Sequence, residues 1–343
     1  MMDLKHGSVI TTSIARHVGD LEGVEVVPNP EPVRDELVLA EVIRLGSYKH
    51  IDVAPGADLT LSVGAKIIGA WGERGSSTSI SGRVPSTFIE EADLLAVGGL
   101  VGVADDFPRE AGPPTRLKII GGLKKDGQLL SLQRKIKSLV DVEVAVPTVL
   151  VVGTSAEVGK TRVTSSLIRT LTESGHAVGG VKLSGTGRMR DTQNYIQAGA
   201  VATSDYVDTG MDTTYGRRGQ EVWESAISMS DYLVKSGAKI LIGECGGDVI
   251  SSNSMPIIEG FAKANCLCAV VAVCSDPLAA LGLKTVLDKA IPDIPTLLAP
   301  MRRNATISAS ISRELTGWSS FTTLDELLTD VLERIYSYDD SSK

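Results

Sequence analysis

One segment constrains this chain more than any other. The apolar run Thr148-Val149-Leu150-Val151-Val152 passes through Gly153-Thr154-Ser155-Ala156-Glu157-Val158-Gly159 into Lys160-Thr161 and a stretch of helical periodicity. Each part of that pattern has a physical reason. The glycines let backbone fold closely around phosphate oxygens, and successive N–H groups at a helix N-terminus supply positive potential. A lysine there reaches β- and γ-phosphates, and the threonine hydroxyl is a ligand for Mg²⁺. Gly153, Thr154, Ser155, Ala156, Glu157, Val158, Gly159, Lys160 and Thr161 are therefore the expected nucleotide-binding residues. The usual phosphate loop has about four residues between its glycines, whereas five stand between Gly153 and Gly159. The match lies in strand, loop, Gly-Lys-Thr and helix, rather than in the exact spacing.

The surroundings suit such a loop. From Pro147 onward, apolar runs alternate with helical periodicity. Strands are expected at Thr148–Val152, Val178–Lys182, Ser204–Val207, Lys239–Ile242, Leu267–Val273 and Pro295–Leu298. Helices are expected at Lys160–Glu173, Thr192–Gly199, Gly219–Ser236, Ile257–Lys263 and Leu281–Lys289, with a closing amphipathic helix at Leu324–Tyr336. Continuous apolar strands between helices indicate a parallel sheet covered on both faces. The preceding residues read differently, as short alternating runs at Val24–Val27, Leu37–Leu45, Leu59–Val63, Lys66–Trp71 and Leu117–Ile120. Lys125-Asp126-Gly127 can close a hairpin between Leu117–Leu123 and Leu129–Leu132. One short helix is expected there, at Ser86–Ala92. The expected fold is α/β: a mainly β domain over 1–145, read as a small barrel, then a phosphate-loop α/β domain over 146–336 and a polar tail over 337–343.

Phosphoryl chemistry needs an acidic group at the end of a neighbouring strand. Lys239-Ile240-Leu241-Ile242-Gly243-Glu244-Cys245-Gly246-Gly247 supplies Glu244, with glycines that allow close approach of backbone to ligand. Lys182 stands at the carboxyl end of Val178–Lys182, in the crevice where parallel sheets bind ligands. It is placed to neutralise charge on a transferred phosphoryl group or to hold a carboxylate. Asp191 follows as a further metal ligand. Asp208 either shapes the substrate side or caps a turn. Arg74 in Gly72-Glu73-Arg74-Gly75 reads as a solvated turn arginine, with reach toward an anionic substrate as the alternative, and the four histidines read as surface or internally satisfied residues. The four cysteines form no C-x-x-C pair and suit reduced core positions better than disulfides.

The second half resembles the dethiobiotin synthetase family, whose loop reads Gly-Thr-Asp-Thr-Glu-Val-Gly-Lys-Thr, likewise with five intervening residues, against Gly153–Thr161 here. The resemblance covers roughly 148–300 and takes in Lys182, Ser184-Gly185, Asp191 and Glu244-Cys245-Gly246-Gly247. It implies that the loop binds ATP and that Thr161, Asp191 and Glu244 hold Mg²⁺. It also places Lys160 and Lys182 on phosphates and substrate, with Ser184 and Gly185 on the substrate side. Ser155 stands where that family has aspartate, and Leu183 where it has proline. The whole chain is also similar to a group of two-domain phosphate-loop proteins, one branch of which is linked to N-acylation of D-glutamate.

With 34 Lys+Arg against 42 Asp+Glu, the net charge of -8 disfavours nucleic acid and anionic membranes as partners. The longest apolar stretch, Cys266–Cys274, is too short to span a bilayer. A cytoplasmic enzyme acting on a small carboxylate- or amine-bearing substrate, and forming a homo-oligomer as the resembled synthetases do, is expected. Its reaction would use ATP and Mg²⁺ to activate a carboxylate or carbamate for attack by an amine. The alternatives are an acyltransferase holding coenzyme A in the loop and a nucleotide-dependent switch. The absence of an Asn-Lys-x-Asp motif disfavours a guanine-reading switch.

Overall fold

The computed structural model describes residues 9–139, 144 and 146–341. The chain forms two compact units. The first comprises Met1–Lys137 with Thr186–Gln193 and Tyr206–Gly216, and the second Ser138–Gly185 with Asn194–Asp205 and Arg217–Lys343. Two short pieces of the later sequence thus belong with the earlier one. The expected boundary at 145 falls outside the described residues.

The strands of the first unit are β1 (Val9–Thr11), β2 (Glu25–Val27), β3 (Leu37–Arg44), β4 (His50–Val53), β5 (Ala57–Thr60), β6 (Lys66–Trp71), β7 (Ser81–Arg83), β8 (Glu91–Ala96), β9 (Leu100–Asp106), β10 (Arg116–Lys125) and β11 (Gln128–Leu129). β6 pairs with β3, β3 with β10, β10 with β8 and β8 with β9, all antiparallel. β9 then returns to β6 as a parallel neighbour, which closes the ring into a small barrel. Val38, Ala40, Ile67, Trp71, Leu94 and Leu117 fill its interior, as side chains must when so few strands close. The hairpin between β10 and β11 turns at Asp126 and Gly127, with φ of 52° and 82°, the pair of positive angles that a two-residue turn requires.

The expected helix at Ser86–Ala92 is absent. Ala92 instead pairs with Leu117 in the barrel, and β8 starts at Glu91. Closing the sheet rewards extended backbone here more than local periodicity rewards a helix. The strand expected at Leu59–Val63 lies two residues earlier, in the β4–β5 hairpin.

Buried ion pairs fasten the later segment Tyr206–Gly216 within this unit. Arg34 Nε donates to both carboxylate oxygens of Asp212 at 3.0 and 3.1 Å, and the Glu73 backbone N–H donates to Asp212 Oδ2 at 2.9 Å. Asp208 accepts from Arg16 at 2.7 Å and lies 2.7 Å from His17 Nε2. Arg74, read as solvated, instead donates to the Tyr48 hydroxyl at 2.7 Å and the Leu95 carbonyl at 2.5 Å.

The second unit runs β12 (Thr148–Gly153), α1 (Lys160–Glu173), β13 (Val178–Ser184), α2 (Met189–Gln197, whose first turn counts with the first unit), β14 (Ala202–Asp205), α3 (Gly219–Lys235), β15 (Ile240–Cys245), α4 (Met255–Lys263), β16 (Leu267–Val273), α5 (Pro277–Ala290), β17 (Thr296–Leu298), α6 (Ala305–Thr316), β18 (Ser319–Ser320) and α7 (Leu324–Ser341). Its sheet has the order β14-β13-β15-β12-β16-β17-β18, with every pairing parallel. β12, β13, β15 and β16 are buried along their whole length, as a sheet covered on both faces demands.

In the second unit α6 escaped the sequence reading, and α7 runs longer than expected. The serines and β-branched residues of Ala305–Thr316 make weak helix formers, so α6 owes its helix to packing against α5. α7 also continues through Ser341, past the point where a tail was expected. Among the described residues no helix is long and apolar enough to cross a membrane.

Candidate functional site

All strands of the second unit's sheet run the same way, so their carboxyl ends form one edge, where ligands of such sheets bind. β12 ends there at Gly153. The loop then takes two left-handed turns, at Glu157 (φ 64°) and Gly159 (φ 110°), before α1 opens at Lys160. A positive φ at a non-glycine such as Glu157 costs energy, and such backbone concentrates at binding loops. Gly153 is required sterically. A Cβ there would lie 2.9 Å from Lys160 Cδ and 3.0 Å from the Val273 carbonyl. The lysine side chain therefore folds back over the glycine, and Nζ donates to the carbonyls of Ser155 and Gly247, both at 2.6 Å. Lys160 is 5% exposed.

Glu244 is the centre of the site. β13 and β15 are parallel neighbours in which Lys182 stands opposite Glu244, and β12 flanks β15 on its other side with Val151 opposite Glu244. Residues opposite one another on adjacent strands share a face, so the ladder itself brings Lys182 Nζ onto Glu244 Oε1. The same oxygen accepts from Thr161 Oγ1 at 3.1 Å. The other oxygen, Oε2, accepts from the Tyr195 hydroxyl at 2.5 Å. Glu244 is 1% exposed and Lys182 7%. Burial on this scale makes the pair depend on each partner being present.

Gly246 follows with no room for a side chain, since a Cβ would come within 2.4 Å of the Ser184 carbonyl. Ser184 turns inward, its hydroxyl 2.8 Å from that of Ser254 and 3.4 Å from the Gly246 carbonyl. Gly185 has a φ of 116° and lies against Gly246.

The sequence-expected residues thus sort into two groups. Lys160, Thr161, Lys182, Ser184, Gly185 and Glu244 come together in the second unit. Asp191, on the first turn of α2, and Asp208, held by Arg16 and His17, belong to the first unit. Thr161 Oγ1 and Glu244 Oε1 are hard oxygens within one coordination shell of each other, a donor set that suits Mg²⁺ completed by water and phosphate.

Two residues went unnoticed in the sequence. Tyr195 is fully buried beneath Glu244, and its only signal was its place four residues after Asp191. Arg302 approaches the loop, its guanidinium 3.7 and 3.8 Å from where a Cβ on Gly159 would sit. Its signal was a basic residue in the loop after the strand Thr296–Leu298. Arg302 lines a pocket of about 240 Å³ beside the loop together with Val158, Gly159, Pro300, Met301 and Leu324.

Replacing Tyr195 by phenylalanine removes one hydrogen bond to a charged acceptor while keeping the ring, a loss of about 1.5–3 kcal/mol. The expected result is about a tenfold rise in the Mg²⁺ concentration needed for half-maximal turnover, read from a metal titration. Nucleotide affinity without metal should stay unchanged.

The described cysteines are free and buried, as the sequence reading expected. Burial, foremost, pushes the thiols of Cys245 and Cys274 up to about 12 and that of Cys266 up to about 11, from an ordinary 9.0. The folded state thus holds thiols that the unfolded state would ionise near pH 9. This contribution to stability is whole below pH 9 and is lost as pH rises toward 12. Iodoacetamide at pH 8 should label these positions only under denaturant, which mass spectrometry of the modified peptides checks.

No family model matches the sequence, and no curated protein does. Solved structures give limited likenesses. The 54 kDa signal recognition particle protein of Aeropyrum pernix K1, solved with GDP, is 20% identical with a TM-score of 0.39, covering 59% of this chain and 52% of that one. A DUF1611 family protein from Anabaena variabilis is 16% identical with a TM-score of 0.41, covering 61% and 66%. The signal recognition particle receptor FtsY of Elizabethkingia anophelis is 14% identical with a TM-score of 0.37, covering 52% and 55%. The chain spans less than two thirds of the length of each of these proteins.

Proposed function

We propose that this chain is an ATP- and Mg²⁺-dependent enzyme that activates a small-molecule carboxylate or carbamate by phosphoryl transfer for C–N bond formation. This is chemistry of the dethiobiotin synthetase kind. One observation carries the reading: Glu244 Oε1 is shared between the loop threonine and a second buried lysine on the neighbouring strand. A loop that only holds a nucleotide needs Lys160 and Thr161. A second lysine adds a positive charge for the oxygens of a phosphoryl group in transfer or for an acceptor carboxylate.

In this reading Lys160 leaves the carbonyls of Ser155 and Gly247 for the phosphates, and the loop N–H groups hold the same oxygens. Mg²⁺, when bound, neutralises phosphate charge, with Thr161 and Glu244 as its protein ligands. Lys182 orients the acceptor while Glu244, buried and held by Tyr195, keeps Lys182 charged and in place. The pocket beside Gly159, with Pro300, Met301 and Leu324 for an apolar face and Arg302 at its rim, takes the nucleobase.

A second reading has a specific observation in its favour. The Ser184 hydroxyl is committed to Ser254 and the Gly246 carbonyl, which leaves one expected substrate contact occupied. A nucleotide-dependent switch needs no such contact.

The test is release of phosphate from ATP by the purified full chain, alone and with a panel of amino-acid-like carboxylates and diamines under bicarbonate. Turnover that requires an acceptor and yields an amide or cyclic urea supports the ligase reading. Slow hydrolysis indifferent to every acceptor favours the switch. Stabilisation by acetyl-CoA but not by ATP with Mg²⁺ overturns both.

A further inference from the structure

A cleft of about 520 Å³ runs along the outer face of α1 in the second unit, between the later part of α2 and the start of α7. Nothing in the proposed reaction uses most of it. Arg162, Ser165 and Arg169 enter from α1, Asn194 from α2 and Asp325 from α7.

The two arginines are seven residues apart. At about 1.5 Å per residue their backbones are separated by about 10 Å on one helix face. Both side chains are exposed, and neither has a hydrogen bond or ion pair among the described residues. The Ser165 hydroxyl oxygen is shielded from solvent and has no hydrogen-bond partner. Asn194 adds an amide that both donates and accepts. Asp325 leaves the cleft with an excess of one positive charge and offers an acceptor to a hydroxyl or ammonium group.

We infer that this cleft binds an organic anion carrying two negative charges, as a dicarboxylate or as a phosphate monoester. Arg162 and Arg169 each take acidic oxygens, because the planar guanidinium matches carboxylate and phosphate geometry. Asn194 hydrogen-bonds the body of the ligand. The cleft is distinct from the nucleobase pocket, although Arg162 and Leu324 border both. Arg169, two helical turns from the loop, belongs to the cleft alone and is the residue to vary.

The experiment is isothermal titration of the full chain with glutarate, adipate, glycerol 3-phosphate and the neutral control glutaramide, at low salt and at 150 mM NaCl. Glutarate or adipate binding identifies a dicarboxylate site, and glycerol 3-phosphate binding a phosphate-ester site. Glutaramide should not bind in either case. Arg169→Gln keeps a good helix former on an exposed position and should weaken the bound anion about tenfold. Asn194→Ala should weaken it less. Nucleotide binding to Arg169→Gln, measured in parallel, should be unchanged, so failure of the cleft and failure of the nucleotide reading are separable. The inference is overturned if no anion binds beyond the neutral control, or if Arg169→Gln binds the anions as the parent does.

Discussion

Replacing Lys160 by alanine is expected to weaken ATP binding about 100-fold and to end turnover. The lysine supplies a full charge to phosphate, and charge-assisted contacts of that kind are the strong ones in such a loop. In the unliganded state Nζ donates to the carbonyls of Ser155 and Gly247, contacts that the phosphates replace on binding. Thermal shift gives the clearest reading. With ATP at 100 times the parent's Kd, the parent gains about 2.7 kcal/mol, while a variant bound 100-fold more weakly gains about 0.4 kcal/mol. Equal shifts in the two proteins would remove the loop from the nucleotide site.

The second large effect concerns Glu244. Glu244→Ala removes the carboxylate that faces the buried Lys182 ammonium, and removing one partner of a buried pair costs about 3–5 kcal/mol. The expected fall in Tm is about 10 °C for a unit of this size. Glu244→Gln keeps an acceptor for Thr161 and loses less stability, yet loses the metal-dependent step as fully. The double variant Lys182→Met/Glu244→Gln should recover most of the stability and none of the activity, because replacing both charges with neutral groups removes the cost of burying an unpaired ion. Calorimetric unfolding and a turnover assay on the same samples check this. A Glu244→Ala protein as stable as the parent would show that the pair is not buried in solution.

How much of this was legible beforehand follows from the range over which each feature is determined. The loop from Gly153 to Thr161 could be read because every part of it is local. An apolar strand, glycines free to take positive φ and a helix start are properties of adjacent residues. The Asp126-Gly127 hairpin was readable for the same reason. Alternation of apolar runs with helical periodicity gave away the second sheet, since β12, β13, β15 and β16 are covered on both faces. α6 was missed because its residues carry no strong local preference, and Ser86–Ala92 was misread because its preference is overruled by pairing with Leu117.

By itself, then, the sequence determined the glycine-bounded loop between an apolar strand and a helix that opens at Lys160, and the classes of the two folds, all of which rest on backbone dihedrals and on periods of two and 3.6 residues. The tertiary structure alone decided which distant groups meet. Lys182 and Glu244 are 62 residues apart in the chain and face each other only because β13 and β15 are ladder neighbours. Tyr195 reaches Glu244 across 49 residues, and the barrel closes only through a parallel pairing of β6 with β9. Asp191 and Asp208 went with the first unit because the segments that carry them are counted there by their packing. Such contacts offset the entropy of closing long loops with the packing of whole elements, a balance that no local window of residues contains.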